Sequence, residues 1–214
     1  MTMLLNPVRF GAPVAPAEKL LSLDFKNGVY FKNGVTDTLT NTGVFVGSGA
    51  TITGGVGATF TGAGYLGFQY DVTSDFIIVL DTVFPSGVTD RTLLDWGSNG
   101  NPRANVYTGS FADRMFIGIG NGSDSSSIGV HNYVAAGSPV KVAMGALNGR
   151  MKLAIAAEPV ISIGTDLAPF TLDSGGGMAI GGLNASGTAW TEPLRSMEVW
   201  RVYSDAQISA LTAP

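Results

Sequence analysis

Short stretches of apolar residues recur along this chain, separated by residues that favour turns. Residues 21–25 read LSLDF and alternate with the period of two that places apolar side chains on one face of a strand. Residues 76–80 read FIIVL, a continuous apolar run that predicts a strand buried on both faces. Further strands are predicted over residues 92–96, 114–119, 127–133, 140–147, 151–156 and 160–163.

Asn-Gly pairs mark tight turns between several of these strands. They occupy residues 27–28, 33–34 and 148–149, and they supply the positive φ angles that a tight hairpin needs. No long helix and no solenoid repeat is indicated. Many strands at short spacing predict an all-β fold, an antiparallel β-sandwich or jelly roll.

The chain closes with a predicted strand and a short predicted helix. Residues 194–203 read LRSMEVWRVY, and Trp200 within this strand is expected to lie in the core. Ser204 and Gln207 have the spacing of a capping box, and Ile208 and Leu211 then fall on one helical face.

Residues 1–19 differ in composition from the rest of the chain. Pro7, Pro13 and Pro16 predict an extended N-terminal arm that docks either onto the domain or onto a partner. Residues 20–214 are predicted to form one domain, which is long enough to bury a large core.

Composition excludes several classes of function. The 214 residues include 30 Gly and no Cys, only 13% are charged, and the net charge is −4. Thiol chemistry is therefore excluded, and scattered cations give no footprint for nucleic acid. No apolar run is long enough to insert in a membrane, and the first ten residues lack a signal-peptide layout. The mean hydropathy of +0.26 indicates either a large core or a surface covered by neighbours.

The order of four segments resembles the laminin-G-like, concanavalin A-like jelly roll. Residues 62–68 resemble its early glycine-rich segment, and residues 75–84 with 91–97 resemble its central strand pair. Residues 139–144 with 148–155 resemble the pair that crosses the sandwich, and residues 178–182 with 195–211 resemble its closing strand and mini-helix. The resemblance covers residues 20–211. It implies an antiparallel β-sandwich with an extended N-terminal arm and a short C-terminal helix.

The arm followed by a glycine-rich jelly roll is also similar to modules of tailed-bacteriophage virion proteins. This similarity implies a non-enzymatic structural protein that decorates or stabilises the head or tail surface. Its expected partners are other virion proteins or copies of itself, and its expected location is the virion, without a signal peptide. The alternative is a carbohydrate-binding adhesin that contacts host or environmental glycans.

The partial matches to catalytic motifs in this sequence do not indicate an enzyme activity. Residues 62–67 match G-x-G-x-x-G, but no helix start follows, as a dinucleotide site would require. The four glutamates do not have the spacing of the glucanases that share this sandwich shape. His131 is the sole histidine, and no nucleophile elbow accompanies it. No catalytic residue and no cofactor is therefore predicted.

Two kinds of binding site stay open. Calcium requires several hard oxygen ligands, which Asp90, Asp95, Asp113 and Asp124 can supply in part, although their spacing matches no known loop.

Glycan binding typically uses an exposed aromatic ring beside polar side chains that form hydrogen bonds. The candidates are Asp95, Trp96, Asn99, Asn101 and Trp190. The alternative for both tryptophans is a place in the core with a satisfied indole N–H.

Overall fold

The computed structural model describes most of the predicted domain and the last part of the arm. The described residues are 14–39, 45–46, 49–62, 64–68, 70, 75–84, 91–97, 102–108, 114–121, 125–127, 131–132, 137–156, 158–163, 178–181 and 188–214. The arm before residue 14 lies outside them.

The described strands are short, as the sequence predicts. In chain order they are β1 (Glu18–Asp24), β2 (Val29–Lys32), β3 (Val35–Thr38), β4 (Phe45–Val46), β5 (Ala50–Thr53), β6 (Gly57–Phe60), β7 (Leu66–Phe68), β8 (Phe76–Val83), β9 (Arg91–Gly97), β10 (Pro102–Thr108), β11 (Arg114–Asn121), β12 (Ser125–Ser127), β13 (His131–Asn132), β14 (Pro139–Leu147), β15 (Arg150–Ile155), β16 (Ile161–Ile163), β17 (Met178–Ile180), β18 (Thr188–Ala189) and β19 (Leu194–Arg201). The helix α1 (Asp205–Leu211) follows β19.

The strands form two sheets, which confirms the β-sandwich. The first sheet has the order β16-β15-β14-β8-β19-β1-β2-β3, with β6 on β19 and β5 on β6. The second has the order β12-β11-β10-β9-β17-β7-β4, with β13 on β11 and β18 on β9. Neighbouring strands are antiparallel apart from the β18–β9 pair. The segments that resemble a central strand pair, β8 and β9, lie in different sheets, whereas β14 and β15 do pair.

The main core lies on the inner face of the first sheet, against the second sheet. Alternate residues of the central strands are buried there, among them Leu21, Leu23, Ile78, Leu80, Val142, Met144, Met197 and Val199. Large exposed apolar side chains are few and scattered among the described residues, namely Val14, Val29, Val35, Val56 and Tyr203. A large core, rather than an extensive exposed apolar surface, accounts for the hydropathy of this part of the chain.

The outer face of the first sheet carries a second, smaller core. Ile77 and Val79 of β8 pack there with Ile208 of α1 and with Val202. Because both faces of β8 are covered, residues 76–80 are apolar throughout, and the predicted doubly buried strand is confirmed. Trp200 is half-buried on this outer side, against the smaller core, which corrects its expected place inside the sandwich.

Two of the predicted Asn-Gly turns join hairpins directly. Asn33 and Gly34 have φ angles of 49° and 86° between β2 and β3. Asn148 and Gly149 have φ angles of 53° and 68° between β14 and β15. Both residues of each pair thus adopt the left-handed conformation that the tight turn requires, and Asn and Gly tolerate it best.

The cap of α1 holds both the helix and the described end of the arm. The Ser204 hydroxyl accepts a hydrogen bond of 3.3 Å from the Gln207 N–H, as predicted. The Gln207 side chain accepts from the Tyr203 N–H at 2.7 Å, and its amide donates to the Ala15 carbonyl at 2.7 Å. Glu18 already belongs to β1 because it pairs with Arg201, so the strand starts inside the range assigned to the arm.

Candidate functional site

The predicted aromatic platform at Trp190 is not on the surface. Its side chain is fully buried, and its indole N–H donates a hydrogen bond of 2.9 Å to the Thr82 hydroxyl. A ring in this position offers no face to a ligand. The expectation of an exposed Trp190 was therefore wrong, and the alternative of a core tryptophan with a satisfied N–H is confirmed.

The other predicted glycan residues are not brought together by the described structure. Asp95 lies within β9 rather than in a loop, and it is only 3% exposed. The backbone of Trp96 continues the same strand. Asn99 and Asn101 lie outside the described residues. Asp95 is thus a buried carboxylate in the middle of a sheet, which is a poor position for contacting a sugar.

Most of the calcium candidates cannot be placed in the described structure. Asp90, Asp113 and Asp124 lie outside the described residues, and Asp95 is buried. Within the described ranges, no group of three or more His, Cys, Asp or Glu side chains could hold a metal ion. No described helix is long and apolar enough to span a bilayer.

A different aromatic cluster lies at the edge of the sandwich, and we call it the tyrosine patch: Tyr30, Lys32, Phe68, Tyr70 and Arg201. The Phe68 and Tyr70 rings are stacked, with centroids 6.5 Å apart and planes at 21°. Tyr30 meets Phe68 edge to face, with centroids 6.3 Å apart. Phe68 is buried, whereas Tyr30 and Tyr70 are half-buried, so the two tyrosines form the rim of the core.

Strand register explains why these residues converge. Tyr30 and Lys32 of β2 lie opposite Leu23 and Leu21 of β1, whose side chains point into the main core. Because side chains alternate along a strand, Tyr30 and Lys32 share that inner face. β2 is second from the edge of its sheet, where the sandwich interior begins to open.

Two cations surround the exposed side of this rim. The Lys32 ammonium lies 5.4 Å from the centroid of the Tyr70 ring, within the range of a cation–π contact. Arg201, at the end of β19, influences the Tyr70 hydroxyl electrostatically and forms an ion pair with Glu18 at 2.7 Å. The patch therefore combines aromatic rings with two cations that can donate hydrogen bonds.

Both tyrosine hydroxyls stay protonated at neutral pH. Burial raises the pKa of Tyr70 above its usual 10.0, and the neighbouring Tyr30 adds to the shift while Arg201 opposes it. Burial also raises the pKa of Tyr30, with a further increase from the Asp37 carboxylate. Each phenol can thus both donate and accept a hydrogen bond.

The tyrosine patch was missed at the level of sequence. One signal was available, since Tyr30 and Lys32 have the i, i+2 spacing that places two side chains on one face of a strand. Nothing local connects them to Phe68 and Tyr70. Those residues approach only because the two sheets pack face to face.

Comparisons with known proteins give a fold and no family. No known family profile matches the chain, and no curated protein sequence matches it. Solved structures do match. The CBM40 of Ruminococcus gnavus IT-sialidase, bound to alpha2,3 sialyllactose, is 20% identical with a TM-score of 0.55, over 73% of this chain and 95% of that one.

Two further solved structures extend this picture. Domain 4 of AbnA, a GH43 extracellular arabinanase from Geobacillus stearothermophilus in complex with arabinotriose, is 14% identical with a TM-score of 0.56, over 93% of this chain and 89% of that one. The receptor binding domain of botulinum neurotoxin D is 14% identical with a TM-score of 0.64, over 90% of this chain and 52% of that one. These matches support the β-sandwich fold of the chain, and identities this low establish nothing beyond the fold.

Proposed function

We propose that this chain is a carbohydrate-binding module whose ligand stacks on the tyrosine patch. The observation that carries the proposal is the pair of half-buried rings, Tyr30 and Tyr70, held against buried Phe68 at the rim of the core. Aromatic rings have electron-rich faces. The C–H groups of a sugar pack against such a face, while its hydroxyls need the polar neighbours that the patch supplies.

Lys32 moves aside when the sugar binds. Its ammonium now lies over the Tyr70 ring at 5.4 Å. An exposed cation–π contact contributes only about 0.5–1 kcal/mol, so its displacement costs little compared with a stacked ligand ring. The flexible four-carbon stem lets the ammonium swing to the rim, where it donates hydrogen bonds to sugar hydroxyls.

The comparisons support this function because the match extends over whole domains. It covers 95% of the CBM40 bound to alpha2,3 sialyllactose and 89% of the AbnA domain in complex with arabinotriose. The proposed role is binding without catalysis. The role in a phage virion stays a prediction from the resemblance, since no structure named above is a virion protein.

A glycan array followed by calorimetry on the hits tests the proposal. The wild-type chain is expected to bind at least one class of oligosaccharide. Tyr70→Ala should weaken that binding about tenfold or more, because it removes the stacking surface. Tyr70→Phe keeps the ring and should lose much less, since only the hydroxyl is removed.

Tyr203→Ala is the matched control, because Tyr203 is 43% exposed and precedes α1, outside the tyrosine patch. It should bind as the wild type does. Absence of any glycan binding by the wild-type chain, or equal affinity of the Tyr70→Ala and Tyr203→Ala variants, would overturn the proposal.

A further inference from the structure

A pocket of about 220 Å³ lies on the outer face of the first sheet, with three charged side chains in its lining. These are Asp81 of β8, Lys141 of β14 and Arg195 of β19. A single bound water needs only about 10–15 Å³, so the pocket has room for a small organic molecule. It is smaller than the ~300–1,000 Å³ of typical drug-sized sites.

Sheet register places the three charges together. Asp81 lies directly opposite Lys141 on one side and Ser196 on the other. Arg195 falls at the irregularity in β19, where the pairing with β8 shifts between Leu194 and Ser196. Val79 and Asp81 share the outer face of β8 by alternation, so the pocket lies on the opposite side of the sheet from the main core.

Two cations, Lys141 and Arg195, line this pocket together with the Asp81 carboxylate and the terminal carboxylate of Pro214. The Arg195 guanidinium lies 3.5 Å from the Asp81 carboxylate, longer than the ~2.7–2.9 Å of a tight charge-assisted hydrogen bond. The Lys141 ammonium donates to the Ala213 carbonyl at 2.8 Å, which leaves it further donors. Both cations therefore retain capacity to bind an anion.

Asp81 and the apolar pocket walls indicate which groups the ligand carries besides an anion. Burial is the main influence on Asp81 and raises the pKa of its carboxyl, although Arg195, Lys141 and Lys26 act in the opposite direction. An ionised Asp81 accepts hydrogen bonds from ligand hydroxyls. Pro139, Val140 and Ala156 supply apolar wall against a short carbon skeleton.

We propose that this pocket binds a small hydroxycarboxylate of the size of a hexuronate. The ligand carboxylate contacts Arg195 and Lys141, and a ligand hydroxyl donates to Asp81. This site is separate from the tyrosine patch, because the two lie on opposite faces of the first sheet. It therefore does not depend on the glycan-binding function proposed above.

The test is an NMR titration of the full ¹⁵N-labelled chain with D-glucuronate, with D-glucose, acetate and inorganic phosphate as comparison probes. Glucuronate should shift the amides around Lys141 and Arg195 in a saturable manner. Glucose lacks the carboxylate and should not bind there. Acetate has a carboxylate but no hydroxylated carbon skeleton, and phosphate has no carbon skeleton at all. Both should bind at least about tenfold more weakly than glucuronate.

Arg195→Gln should weaken glucuronate binding about tenfold or more, because it removes the charged donor. Lys141→Gln is the second variant, for use if Arg195→Gln does not fold. Its side-chain amide can still donate a hydrogen bond to the Ala213 carbonyl. Arg150→Gln is the control, since Arg150 is an exposed arginine outside the pocket.

Three results with the wild-type chain would overturn the proposal. They are absence of shifts with glucuronate, shifts centred on Tyr70 instead of Arg195, and equal binding of phosphate or acetate, which would indicate a nonspecific anion site. Unchanged affinity of a folded Arg195→Gln or Lys141→Gln variant would do the same. The Tyr70→Ala variant should bind glucuronate as the wild type does, so this test and the glycan test can fail independently.

Discussion

The indole N–H of Trp190 donates a hydrogen bond of 2.9 Å to the hydroxyl of Thr82, and both residues are fully buried. The same hydroxyl donates to the Pro193 carbonyl at 3.0 Å. Thr82 lies in β8, near the centre of the first sheet. One hydroxyl therefore fixes both the tryptophan and the segment that leads into β19.

Replacing that hydroxyl should destabilise the fold measurably. Thr82→Val keeps the shape but leaves the Trp190 N–H and the Pro193 carbonyl without this partner, at an expected cost of about 1–3 kcal/mol. Thr82→Ser keeps the hydroxyl and removes one methyl, at about 0.8 kcal/mol. Urea unfolding followed by intrinsic fluorescence should show a larger loss in the free energy of unfolding for Thr82→Val than for Thr82→Ser. A greater loss for the serine variant would contradict the role of the hydrogen bond.

The Ser204 cap should contribute to overall stability, because α1 covers the smaller core. Ser204→Ala removes the acceptor for the Gln207 N–H and should lower the free energy of unfolding by about 1 kcal/mol. Ser204→Asp restores a capping oxygen at the positive end of the helix and should recover most of this loss. Chemical denaturation of the three proteins provides the measurement, and indistinguishable stabilities would show that the cap does not matter.

Gly145 should tolerate no side chain. A Cβ at this position in β14 would collide with the carbonyl oxygen of Phe76 and lie 2.9 Å from the Cα of Ile77. Those atoms belong to the paired backbone of β8, which cannot yield cheaply, so Gly145→Ala should cost about 1–3 kcal/mol or prevent folding. Gly54→Ala is the matched control, because nothing lies within 4 Å of its added Cβ. Thermal unfolding of both variants checks the contrast, and equal stabilities would refute it.

Asp81 should make the stability of the chain depend on pH. Burial raises the pKa of its carboxyl in the folded state above the usual 3.8. The folded state then binds this proton more tightly than the unfolded state does. The stability that Asp81 contributes is complete below its unfolded pKa and is lost as the pH rises through its folded pKa.

The Asp81→Asn variant isolates that dependence, since the other carboxylates titrate in both proteins. Relative to wild type, its free energy of unfolding should increase between about pH 3 and pH 7. Urea unfolding at a series of pH values measures the difference. A difference that stays constant or declines with pH would contradict the raised pKa.

Local patterns predicted much of the fold. The alternation at Leu21 and Leu23, the tight turn at Asn148 and the cap at Ser204 are all found as expected. Each depends on steric or hydrogen-bonding preferences within a few neighbouring residues, and such preferences can be predicted from the local sequence.

The sites were decided by tertiary structure alone. Trp190 sits in a polar, glycine-rich stretch typical of a loop, yet long-range contact with Thr82 buries it. Tyr30 and Tyr70 are unremarkable in their local sequence, yet sheet packing joins them through Phe68 at an open rim. Strands, turns and the helix cap were predictable from the residue pattern because they depend on local backbone energetics. The exposure of each aromatic ring and the grouping of charges in a pocket depend instead on which distant strands pair and in which register, and no local pattern encodes that pairing.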